Sequence, residues 1–195
     1  MLSALVMLAA SCSSGFDFNK EIEKDFTFMV NEYGSSVEYL GTDVELNGNL
    51  SDLSKDEVRV ERFASYYRLD SALFVITRTL NEDSVVEDLV TDDDFSNVRT
   101  FSPYAVPVTF KNVVKRVYAS DEVRPESNHL ALRWVNGEDT PHYVFGNVTV
   151  GILAVNVVNG EIVSIAPEAD DEIEFSCEDC EETEACEDCD GAVEE

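Results

Sequence analysis

Positive charge is what this 195-residue chain has least of. Thirteen Lys and Arg stand against 41 Asp and Glu, a formal net charge of −28 at pH 7. A surface of that sign repels phosphates, which excludes nucleic acid as an electrostatic partner. It equally excludes docking on an anionic membrane face through charge. A solvated acidic surface with an acidic tail accounts for the imbalance; cation binding or a saline habitat would produce it too. No apolar run approaches the about 20 residues of a membrane-spanning helix. The chain also lacks G-x-S-x-G, H-E-x-x-H, P-loop and G-x-G-x-x-G signatures. Its only histidines are His129 and His142. They lie near strand ends that can approach one another, but no carboxylate or nucleophile beside them marks a catalytic set, so a local hydrogen-bonding role is the simpler expectation.

What is present at the amino terminus reads as an address. Met1–Ser11, MLSALVMLAAS, is short, apolar and ends in small residues, as a secretory h-region does. Leu8-Ala9-Ala10-Ser11-Cys12-Ser13-Ser14 resembles the lipobox of bacterial lipoproteins. Ala9 stands where that family usually has Leu, and no Lys or Arg precedes the apolar run. The resemblance implies cleavage before Cys12 and transfer of a diacylglycerol to its thiol. It further implies anchoring in a Gram-negative envelope, with the outer membrane as the expected site. Residues 1–11 would then be a signal peptide and 12–16 a lipidated tether.

The carboxyl terminus is the chemically unusual end. Residues 168–195 hold fifteen acidic side chains and no Lys or Arg. Such a block repels itself unless something neutralises it. Four of the five cysteines are here, as Cys177-Glu-Asp-Cys180 and Cys186-Glu-Asp-Cys189. Paired C-x2-C presents two thiolates to one metal, and four sulfurs suit zinc or copper(I). The five-residue gap is shorter than usual between zinc knuckles, and neighbouring carboxylates oppose thiol deprotonation. In an oxidising compartment the same cysteines pair as disulfides. Disulfides, metal and an unstructured tail all stay open. A second acidic cluster, Asp92-Asp93-Asp94, offers oxygens to a cation without the spacing of a calcium loop; a solvated loop is the simpler reading.

Between the two ends, residues 17–167 read as one mainly β domain. Ile22, Phe26, Met29, Val30 and Tyr33 fall at helical spacing, with Asp17 or Asn19 as cap and Gly34 after the end, so a helix is expected over 19–33. The alternation of Phe26, Phe28 and Val30 is the competing strand signal. Residues 37–50 and 73–80 have strand character. Residues 55–67 are ambiguous, with a capping box at Ser54–Glu57 ahead of an alternating run. A short helix is expected over 84–90, one or two strands over 106–118, and a loop over 121–128.

Asn128–Pro167 reads as two hairpins in a meander, turning at Asn136-Gly137 and Asn159-Gly160, the dipeptide that best tolerates a type I′ turn. Residues 152–158 are apolar on both faces, which suggests a central strand. Trp134 fits a core position on the Leu130/Leu132 face. Asn49-Leu-Ser51 and Asn147-Val-Thr149 match the glycan acceptor pattern, which matters only on a eukaryotic secretory route.

The expected fold is therefore mainly β, an antiparallel β-sandwich-like domain with an N-terminal helix. The alternative is an α+β two-layer domain with helices on one face of the sheet. The expected role is an envelope-anchored binding or structural module for a protein or glycan partner. Metal handling through Cys177, Cys180, Cys186 and Cys189, and hydrolysis using His129 or His142, are the alternatives.

Overall fold

The computed structural model describes residues 16–79, the backbone of 85–89, and residues 97–167. The fold is mainly β. Helix α1 (Phe18–Tyr33) precedes strands β1 (Glu38–Leu46), β2 (Val60–Leu69), β3 (Ala72–Thr79) and β4 (Val85–Leu89). A 3-10 turn at Pro103–Ala105 leads to helix α2 (Phe110–Ala119) and strands β5 (His129–Trp134), β6 (Pro141–Asn147), β7 (Gly151–Asn156) and β8 (Ile162–Ile165). All eight strands join one sheet in the order β4-β3-β2-β1-β5-β6-β7-β8, antiparallel throughout. Each half is a helix followed by a four-strand meander, and the first strands of the halves, β1 and β5, meet at the centre.

Both helices lie on the same sheet face. Phe18 of α1 meets Phe63 of β2 and Phe110 of α2 edge-on, each at 5.5 Å between ring centroids. Phe110 in turn lies 6.4 Å from Tyr143 of β6. The layer covering the sheet is thus helical, as in the α+β alternative, while the antiparallel, mainly β content is as expected.

Local sequence explains most elements. Asp17 caps α1 by accepting from the Lys20 amide, and Gly34 closes it at φ 95°. Phe18, Ile22, Asp25 and Met29 form the buried stripe. At Ser54–Glu57 the Glu57 carboxylate accepts from the Ser54 amide at 2.9 Å and its hydroxyl at 2.7 Å, yet a turn follows and then β2. There the alternation of Val60, Phe63, Ser65 and Tyr67 prevails, because it fills the sheet face under α1.

Three expectations are corrected. Residues 85–89 form strand β4, not a helix; pairing with β3 outweighs their local preference. Residues 110–119 form a helix, not a strand: Phe110, Val113, Val114 and Val117 recur at helical spacing and are the residues α2 buries. Strand β7 is next to the sheet edge, not central, although Leu153, Ala154 and Val155 are all buried. The meander forms within Asn128–Pro167, but Val148 and Val150, whose alternation with Ile152 and Ala154 suggests a strand, lie in the β6–β7 turn. Its Asn-Gly turns, however, are longer than two residues, and only Gly137 (φ 84°) and Gly160 (φ 71°) take positive φ.

Gly146, at the end of β6, has φ 77°, and a Cβ there would lie 2.2 Å from the Gly151 carbonyl oxygen and 2.8 Å from Pro125. Left-handed backbone at a non-glycine residue costs about 1–3 kcal/mol before any clash. Gly146→Ala is expected to lower stability by at least about 2 kcal/mol, read from the urea midpoint at constant m value. An unchanged midpoint would contradict this packing.

Candidate functional site

Three sets of polar groups make up a largely buried seam between α1 and the sheet. At one end Asp25, 1% exposed, receives Arg78 of β3: Nε lies 2.9 Å from both carboxylate oxygens, and Nη2 also donates to Oδ1. Glu21, one turn earlier, lies 3.8 Å from Arg78. Next to this pair, Tyr39, Thr42 and Ser65 form a hydroxyl chain, with 2.8 Å between Thr42 and Ser65. An extra residue in β1 between Tyr39 and Gly41 makes this chain possible. The bulge brings Tyr39 and Thr42 onto the same face, where regular alternation would separate them. At the far end Asn19 donates to the Tyr143 hydroxyl at 2.8 Å and accepts from the Phe110 amide at 2.9 Å. It thereby supplies the first turn of α2 with the acceptor that Thr109, the residue at the cap, does not provide.

The electrostatics make this seam structural. Burial raises the Asp25 pKa above its ordinary value, and hydrogen bonding and charge from Arg78 offset only part of that rise. Desolvation pushes the phenols of Tyr39, Tyr67 and Tyr143 well up, so all three stay neutral, and Tyr39 and Tyr143 serve as hydrogen-bonding groups, not bases. Among the described residues the Tyr67 hydroxyl finds no hydrogen-bond partner of normal geometry.

The two histidines do not meet. His129 is exposed at the start of β5. His142 sits on β6 opposite Arg133, four residues along β5 from His129, a separation of about 13 Å. His142 is buried, with Nδ1 2.9 Å from the Thr140 carbonyl oxygen and Nε2 4.0 Å from Glu138. This is a locally satisfied histidine. Trp134 lies on the Leu130/Leu132 face as expected; it donates to the Thr100 carbonyl at 3.2 Å and carries the Arg99 guanidinium 3.5 Å above its ring. Cys12, Asp92, Asp93, Asp94, Cys177, Cys180, Cys186 and Cys189 lie outside the described residues. Among the described residues no group of three His, Cys, Asp or Glu side chains is placed to hold a metal, and no helix is long and apolar enough to cross a membrane.

The solvent side of α2 carries the remaining feature. Lys111, Asn112, Lys115 and Arg116 are all exposed there. With Pro107, Val108 and Val158, the last three line an open cleft of about 420 Å³ between the helix and the β7–β8 turn. Arg116 packs against Gly160, its Nη1 3.5 Å from the Gly160 carbonyl oxygen. The sequence reading missed this face and the Asp25–Arg78 pair. The signals were there: Asp25 falls on the apolar stripe of α1, and residues 97–120 contain no acidic residue. No protein-family model, curated protein or solved structure matches the chain.

Removing one partner of a buried ion pair strands the other charge and costs about 3–5 kcal/mol. Asp25→Ala is expected to lose that much at neutral pH in urea unfolding, and Asp25→Asn, which keeps the acceptor oxygen, clearly less. The sign of the pH effect follows from the raised pKa. Folded protein keeps the Asp25 proton to higher pH than the unfolded chain, whose Asp titrates near 3.8. The Asp25 contribution to stability therefore falls as pH rises from about there through the folded value, then levels off. Asp25→Asn should flatten that part of the stability–pH curve; an identical curve for the variant would contradict the assignment.

Proposed function

We propose that this is an exported protein, lipid-anchored through Cys12 in the cell envelope of a Gram-negative bacterium, where it acts as a binding or structural module and not as a catalyst. The anchor rests on Leu8–Ser14 and its likeness to a lipobox. The single observation that carries the module reading is how the chemically able side chains are employed. Asp25 and Arg78 are spent on each other, His142 on the Thr140 carbonyl, and Asn19 and Tyr143 on holding the helices to the sheet. Such a molecule is a scaffold, and its partner, a protein or a glycan, would be met by loops and faces that the scaffold holds in place.

A metal-binding role for the tail is the second reading, favoured by the paired C-x2-C spacing of Cys177, Cys180, Cys186 and Cys189. Zinc or copper(I) would be the ion. Thiols found bridged in protein taken from native membranes would remove this reading.

The anchor is tested by one substitution in a bacterial host. Wild-type protein is expected in the detergent phase of a temperature-induced phase separation and to take up labelled palmitate. Cys12→Ser is expected in the aqueous phase without label. Wild-type protein that stays aqueous and unlabelled would overturn the proposal.

A further inference from the structure

We propose that the solvent-facing side of α2 is the docking surface for this chain's own acidic C-terminal segment, residues 168–195. Four basic side chains of the domain sit beside carboxylates: Lys20 with Asp17, Lys24 with Glu21, Arg68 with Glu38, Arg78 with Asp25. What sets α2 apart is three cations grouped on one helix that has no acidic residue of its own. The helix lies within residues 97–120, which include Arg99, Lys111, Lys115 and Arg116 and not one Asp or Glu. Its buried stripe of Phe110, Val113, Val114 and Val117 leaves Lys111, Asn112, Lys115 and Arg116 facing outward. Among the described residues, none of those three cations has a carboxylate within ion-pair distance. Lys111 and Lys115 are one turn apart, so they repel each other along the helix. In a chain with a large excess of carboxylates, a cationic face left bare by its neighbours calls for an anionic cover.

The occupant is identified by charge and reach. Residues 168–195 carry fifteen carboxylates and no opposing side-chain charge. They follow Pro167, which packs beside Gly151 at the start of β7. The other end of the β7–β8 hairpin is the turn where Gly160 meets Arg116. The four residues of β8 cover about 13 Å, so the segment begins about one strand length from the cationic face. Twenty-eight residues can extend several times that distance. Tethering also places the segment at an effective concentration in the millimolar range, which no free anion of similar charge reaches easily. Docking there relieves two repulsions together: that among the tail's carboxylates and that along the helix. The contact is exposed and charge-driven, so it weakens as salt rises.

The test is zero-length carbodiimide coupling of the full-length protein, which joins only amines and carboxylates already in contact. The monomer band is digested and its cross-links read by mass spectrometry at about 10 mM and 1 M NaCl. Lys111 and Lys115 are expected to couple to carboxylates of 168–195, several-fold more at low salt than at high. Lys24 coupling to Glu21 reports that the reagent has worked. Three outcomes would overturn the proposal while that control couples: uncoupled Lys111 and Lys115, coupling only to carboxylates outside 168–195, or tail cross-links confined to the dimer band. The last would assign the contact to a second copy.

Discussion

The arrangement of this molecule depends on holding α1 at one place over the sheet, and the Asp25–Arg78 pair is the strongest constraint on that place. Phe18, Ile22 and Met29 supply the apolar part of that hold and are fully buried against the sheet. A two-pronged ion pair between a buried carboxylate and a largely buried guanidinium adds a stricter constraint, because either charge unpaired is very costly. Asn19 then ties the first turn of the helix to both Tyr143 and the start of α2. The hydrophobic effect supplies the drive to cover the sheet; the polar seam selects the register of the cover.

That division of labour bears on function. Buried acids, phenols and a histidine in one small domain invite a search for catalysis. Here the phenols are held neutral, the acid is neutralised by Arg78, and the histidine is turned to a backbone carbonyl. The charged groups with freedom to meet something else are on the surface, the three cations of α2 among them.

How much of this was legible beforehand depended on whether the signal was local. The α1 helix was, because Asp17, the apolar stripe and Gly34 all lie within it. The β5–β8 meander was, because alternation and turn residues are short-range features. Helix α2 was misread because Val113, Val114 and Val117 carry β propensity, while their spacing, which decides burial, is helical. Strand β4 was misread because only its partner β3 makes it a strand. The seam was hidden for a different reason: Asp25 and Arg78 are 53 residues apart, and Tyr39 reaches Thr42 only through a bulge that composition does not announce. The basic face of α2 could have been found from the absence of acidic residues over 97–120, which stands out only in so acidic a chain.

The central claim is that the chain is exported and begins, in its mature form, with a lipidated Cys12. The most direct measurement is the intact mass of the protein extracted from its native membranes, with and without reductant. The account predicts a mass equal to residues 12–195 plus acyl chains. A gain of about two hydrogens per bridge on reduction would further identify the four tail cysteines as disulfides. A mass that starts at Met1, without acyl chains and with free thiols, would contradict the account and leave a reduced, metal-binding tail as the stronger reading.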